Sequence, residues 1–208
     1  MPFEGIPLAA LDFYEDLEAD NSKAFWQAHR EVYEDRVKAP MKALADELAP
    51  KFGEYKLFRP YRDVRFSKDK TPYKTHQGIW FGETSRYLHV SGAGLFLAAG
   101  YWSTSPAQVA RLRRGVDDDI AGPLLRKAVD GVRRRGYEIG GEQLTRVPSG
   151  FDKEHERADL LRHKTLVASR ELQAPDWLTT PQARPEIAKR WRAMGPVVDW
   201  LETHVGRD

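Results

Sequence analysis

The sequence predicts an α+β fold: a central antiparallel β-sheet flanked by N-terminal and C-terminal helices. Three observations carry this. Apolar residues recur at helical spacing over the first fifty residues and again after residue 105. Between them lie short runs rich in aromatic and branched residues, punctuated by glycine and polar turns. No helix-length segment separates those runs, so neighbouring strands run antiparallel.

The first helix is predicted over 7–18, with Leu8, Leu11 and Leu17 at helical spacing and Pro7 in its first turn, where a missing N–H costs nothing. Asn21 is the expected N-cap of a second helix bearing Phe25, Trp26, His29, Tyr33 and Val37. Pro40 stops or kinks that helix, and a third follows over 41–52. Strands are predicted at 56–66, 76–82, 86–91 and 95–102, with turns at Thr84-Ser85 and Gly92-Ala93-Gly94. Ser105-Pro106-Ala107-Gln108 reads as a capping box with proline at the first helical position. Asp117-Asp118-Asp119 opens the next helix, with Leu124, Leu125, Ala128, Val129 and Val132 as its apolar face. Arg133-Arg134-Arg135-Gly136 is good chemistry for its end. A short strand around Leu144 to Val147, a helix over 153–163, a strand over 164–172 and a last helix from Pro185 to about His204 complete the reading. No repeat or linker is visible, so residues 1–208 are expected to form a single domain.

Composition narrows the functional classes. The 208 residues are 41% hydrophobic and 31% charged, which permits a packed core. The absence of cysteine excludes disulfides, thiolate metal sites and a cysteine nucleophile. No apolar stretch approaches a membrane span and no signal peptide is visible, so a cytoplasmic location without membrane partners is expected. There is no Gly-x-Ser-x-Gly elbow, P-loop or His-Glu-x-x-His motif.

The net charge of +2 is unevenly placed. Residues 1–55 are strongly acidic, whereas residues 56–76 hold Lys56, Arg59, Arg62, Arg65, Lys68, Lys70 and Lys74 against Asp63 and Asp69 alone. Two readings compete. The segment binds an anion, since arginine grips phosphate with a planar fork and lysine supplies a mobile charge. Alternatively, its charges pair with one another and with the acidic helices, and the loop is architectural. On the first reading Arg62, Arg65, Lys68, Asp69, Lys70, Tyr73 and Lys74 form the ligand-binding set. Tyr61, Phe66, Tyr73 and Trp80 add stacking surface, and Trp80 with Trp102 would line a pocket beside the loop. The partner would be an anionic small molecule, phosphorylated or nucleotide-like, or a short single-stranded nucleic acid. If chemistry occurs, Asp63 or His76 is the candidate base. A metal-dependent phosphodiesterase or nuclease is a third reading, using Asp63, Asp69 and Lys70, although acids embedded in positive charge suit neutralisation better. His155, Asp159 and His163 share one face of the predicted 153–163 helix without a fourth ligand, and His76 and His89 are expected as cross-strand neighbours. No metal site is assigned from these, and no cofactor is indicated.

The run Arg62-Asp63-x-Arg65-Phe66-Ser67-Lys68-Asp69-Lys70-Thr71-Pro72-Tyr73-Lys74 resembles the signature of the domain of unknown function 2461 family. Gly5-Ile6-Pro7, Phe13, Leu17, Asn21, Trp26, Tyr33 and Pro40 resemble its N-terminal part. Leu144-x-Arg146-x-Pro148-x-Gly150-Phe151-Asp152, with His155, Leu160 and Leu161, resembles its C-terminal part. The chain departs from the family pattern at Asp20-Asn21, where paired asparagines are usual, and at His155-Glu156, where His-Pro is usual. The resemblance implies a soluble single-domain protein without an assigned activity. It supplies no catalytic residues, but it gathers Arg62, Asp63, Arg65, Asp69, Lys70, Tyr73 and Lys74 into one unit.

Overall fold

The apolar spacing of the first fifty residues becomes three helices in the computed structural model, which describes residues 2–65 and 67–208. These are α1 (Ala9–Ala19), α2 (Lys23–Val32) and α3 (Ala39–Phe52). The described residues form six antiparallel strands: β1 (Tyr55–Leu57), β2 (His76–Phe81), β3 (Arg86–Ser91), β4 (Gly94–Tyr101), β5 (Glu138–Gly140) and β6 (Leu166–Leu172). Their order in the sheet is β1-β2-β3-β4-β6-β5. Helices α4 (Pro106–Asp117), α5 (Ala121–Arg134), α6 (Ala158–Leu161) and α7 (Ala183–His204) belong to the second half of the chain. The class is α+β, as the residue pattern predicts. Among the described residues no helix is long and apolar enough to cross a membrane. The chain divides into two compact units, Met1–Leu97 with Glu171–Lys189 and Ala98–Arg170 with Arg190–Asp208.

In the first unit, α1 buries Ala10, Leu11, Phe13, Tyr14 and Leu17 on one side. Ser22, not Asn21, caps α2: its hydroxyl accepts the Phe25 N–H at 3.1 Å. Pro40 does not end the helical path. A π-helical turn over Tyr33–Lys38 precedes it, and the proline sits in the first turn of α3. The wider turn absorbs the missing N–H and the ring that would press on the preceding turn of a regular helix.

In the sheet, α1 packs against β3 and α3 against β2. The alternation of the strands buries Gln77, Ile79, Phe81, Leu88, Val90, Leu95 and Leu97 on one face. It leaves His76, Trp80, Tyr87, His89, Ser91 and Phe96 half-buried on the other. The two predicted turns are present, with Ser85 at φ 52° and Gly94 at φ +111°. A Cβ on Gly94 would meet the Gln173 backbone, whose carbonyl accepts the Leu95 N–H at 3.1 Å.

The strand predicted over 56–66 ends at Leu57. Pro60 has no N–H to give a ladder, and polar side chains farther on take the backbone groups instead. Among the described residues the pairing continues through the Phe58 N–H, which donates to the Gly78 carbonyl at 3.0 Å, and an isolated antiparallel bridge, Tyr61 with Tyr73. The face assignments that a 61–66 strand would impose therefore do not hold.

In the second unit, the capping box at Ser105 and Gln108 forms as predicted. Asp118 accepts the N–H groups of Ile120 and Ala121 at 2.9 and 2.8 Å and so starts α5. Leu125, Val129 and Val132 are buried, but Leu124 is 53% exposed and lies off the packed stripe. Gly136 follows the arginine run at φ +79°. Among the described residues the strand predicted near Leu144 is absent; β5 lies earlier, and a bridge between Gln143 and His163 occurs there. The helix predicted over 153–163 shrinks to α6. Asp152 takes the Glu154 N–H at 3.0 Å, and the His155 Nδ1 takes that of Arg157 at 2.9 Å, turning the backbone away from helix. The face expected to hold His155, Asp159 and His163 consequently does not form. His155 lies beside Asp117, Asp159 pairs with Arg126, and the buried His163 bonds the Thr165 carbonyl. Trp191, Met194, Val198 and Leu201 of α7 are buried.

Candidate functional site

The basic segment forms a loop between β1 and β2, and its legs are tied down by the buried Gln77 on one side and the half-buried Asn21 on the other. On one leg, the Gln77 amide donates to the Phe58 carbonyl at 2.7 Å. The Tyr33 hydroxyl donates to the Gln77 side-chain oxygen at 2.7 Å. Burial pushes the Tyr33 hydroxyl pKa up, so it remains a donor. On the other leg, the Asn21 side chain grips the Tyr73 backbone twice. It accepts the N–H at 3.0 Å and donates to the carbonyl at 3.1 Å. The Tyr73 ring lies flat on Trp26, with centroids 4.4 Å apart and planes 9° apart. Main-chain bonds from Arg62 to Pro72 and from Lys74 to Pro60 join the legs.

The tip is knitted by its own side chains. Arg62 donates to Asp69 at 2.5 Å and to the Thr71 hydroxyl. Asp69 also accepts the Thr71 N–H at 2.9 Å and its hydroxyl at 2.8 Å. The Thr71 backbone bond first, then Arg62 and the Thr71 hydroxyl, pull the Asp69 carboxyl down to about 2. Arg65 grips Asp63 with two parallel bonds, 2.9 and 2.6 Å, and this pair holds the Asp63 pKa low. Lys70 donates to the Val64 carbonyl at 3.0 Å. These exposed pairs shape the tip and add little to global stability. Asp69→Ala is expected to speed hydrogen exchange at the Thr71 amide about tenfold while moving the melting temperature by less than about 3 °C. Unchanged exchange would show that Asp69 does not hold the turn.

The root of the loop differs. Lys56 and Lys74 place their ammonium groups over the Phe58 ring, 5.4 and 5.1 Å from its centroid. Arg59 is the next residue in the chain. Among the described residues none of these three cations is hydrogen-bonded or ion-paired to a carboxylate. Burial, then Arg59 and Lys56, push the Lys74 pKa down. Lys68 is exposed and likewise has no acidic partner among the described residues.

Beyond Phe58 the half-buried face of the sheet begins. Lys56 stands opposite Trp80, and Trp80 opposite Tyr87, so the three share one face across β1, β2 and β3. His76 and His89 are diagonal neighbours with rings 4.7 Å apart, as their predicted strands require. His89 stacks on Phe96 at 4.8 Å and 18°. Tyr87 lies 5.6 Å from His89, 6.2 Å from Phe96 and 6.3 Å from Phe58. Gly78 lets the rings close down over the strand, because a Cβ there would meet the Tyr87 hydroxyl and the Phe58 ring. Burial, then His76, lowers the His89 pKa to about 3; burial, then Lys74, lowers that of His76.

The sequence-derived candidates thus separate. Arg62, Asp63, Arg65 and Asp69 are engaged with one another in pairs. Lys70 caps a carbonyl. Tyr73 is 6% exposed and anchors the loop. Lys68 and Lys74 remain unneutralised. Asp63 and His76, the two candidate bases, are not joined by a hydrogen bond. Phe66 lies outside the described residues. Tyr61 is 48% exposed and Trp102 is 68% exposed. Among the described residues no group of three or more side chains is placed to hold a metal ion. The candidate set omits Lys56, Arg59, Phe58, Tyr87 and Phe96. The alternation of cation and ring in Lys56-x-Phe58-Arg59 was the signal that could have found them.

No curated protein matches the chain. A family model described as a conserved hypothetical protein (DUF2461) matches residues 9–200. That span includes the helices that clamp the loop, the loop itself and the sheet, so the chain belongs to the DUF2461 family.

Proposed function

We propose that the chain binds a phosphate-bearing ligand at the root of the basic loop. The observation that carries this reading is the gathering of Lys56, Lys74 and Arg59 at Phe58: among the described residues none of the three is hydrogen-bonded or ion-paired to a carboxylate, and Arg59 acts on Asp63 only through space. Burial first, and then the neighbouring charges of Arg59 and Lys56, disfavour the charged form of Lys74 and lower its pKa. An anion would favour that charged form. Lys68 and Lys70 extend the positive field along the loop. Arg62 and Arg65 act indirectly, by holding the tip through Asp69 and Asp63. The pairs at the tip favour a second reading for that part alone, in which the arginines are architectural. Asp63 and Asp69 are occupied by guanidinium and Thr71 donors, which leaves the nuclease reading without a supporting observation.

Calorimetric titration with inorganic pyrophosphate at low salt tests the reading. Saturable binding is expected, weakened about tenfold or more by Lys74→Ala or Arg59→Ala and falling steeply with added salt. Wild-type protein that gives no saturable heat at millimolar pyrophosphate would refute it.

A further inference from the structure

Resting on that anion site, we propose that its ligand is a nucleotide, with the base lying against the ring surface of His76, Tyr87, His89 and Phe96 and the phosphates on Lys56, Arg59 and Lys74. Two features define the occupant. The first is the ring surface. Four rings from three adjacent strands meet at centroid separations between 4.7 and 6.2 Å. They stand half-buried on the face opposite the helices α1 and α3. Planar heterocycles stack on such surfaces with little dependence on base identity. The second is the placement of charge. The cations gather at one end, where Phe58 touches Tyr87, and the rings continue away from them.

That polarity selects a ligand with its charge at one end and its π-system at the other. A nucleic-acid strand carries a phosphate at every residue and needs cations along the whole platform. A nucleotide needs them only at one end. The two imidazoles fit the ring role, since their lowered pKa values keep them uncharged near neutral pH. The His89 Nδ1 is buried and has no hydrogen-bond partner among the described residues.

The experiment compares ADP with pyrophosphate, which share a diphosphate and differ by the nucleoside. ADP is expected to bind about tenfold or more tightly. Phe96→Leu and Tyr87→Leu, each checked for a wild-type circular dichroism spectrum, are expected to bring ADP affinity down to that of pyrophosphate. Equal affinity of wild type for the two ligands overturns the base platform while leaving the anion site standing. Binding of neither overturns both. An octathymidylate that binds more tightly than ADP and depends on the same rings replaces the nucleotide with a single strand, and so also overturns the proposal.

Discussion

Tyr73→Ala is expected to lower the unfolding free energy by about 3 kcal/mol, the range for deleting a buried aromatic side chain. The ring is 6% exposed and parallel to Trp26, which in turn meets Tyr33 at 4.8 Å and Phe13 at 6.0 Å. Removing it leaves a cavity under the loop and strips one side of that aromatic cluster. Asn21→Ala should cost less, about 1–2 kcal/mol, because it removes hydrogen bonds but no ring. The double variant should cost less than the sum, since both substitutions release the same leg of the loop. Urea unfolding of the four proteins reads all of this. A Tyr73→Ala loss below about 1 kcal/mol would mean that the loop is held from elsewhere.

Acidification should weaken the fold in a window set by His89. Its pKa is lowered from 6.5 to about 3 by burial and by His76. The unfolded chain therefore takes up a proton below pH 6.5 that the folded protein refuses until near pH 3. The stability tied to this group is complete above pH 6.5 and is lost as pH falls toward 3. At about pH 4.5 the loss is on the order of 2 kcal/mol. The paired carboxylates contribute with the same sign but lower down: Asp69, at about 2, matters mainly below about pH 4. His76 and, in the second unit, His163 are also lowered and add to the loss. His89→Leu should keep the stacking volume beside Phe96 and lose about 2 kcal/mol less than wild type between about pH 7 and 4.5. Equal losses in the two proteins would show that the folded protein accepts the proton freely.

Elements whose signals are local were readable from the residues. The Ser105–Gln108 box, the Asp118 start, the strands from His76 to Tyr101 and the buried stripe of α7 each rest on neighbours a few positions apart. The failures share a different cause. Asn21 and Ser22 are both good caps, and the choice between them is made by Tyr73, 52 residues away. The alternation of Tyr61, Asp63 and Arg65 imitates a strand, but Asp63 turns back to bond Arg65. Asp152 and His155 dissolve most of a helix that apolar spacing alone supports. For the candidate site, the number of cations was visible and their partners were not. Which charges cancel depends on a loop path fixed from helices far away in sequence. The ring surface was half visible, through His76 and His89; Phe58 and Phe96 join it only once strand register is known.

The π-helical turn at Tyr33–Lys38 carries one residue more than regular winding would hold. That surplus sets the phase of everything upstream relative to α3. Shortening the turn by one residue would swing α2 by about 100° around its axis, carrying Trp26 out from under Tyr73 while Met41, Leu44 and Leu48 stayed seated. The orientation of a loop some thirty residues later is thus written in helix winding number, and a single-residue deletion far from the cations would misplace them all.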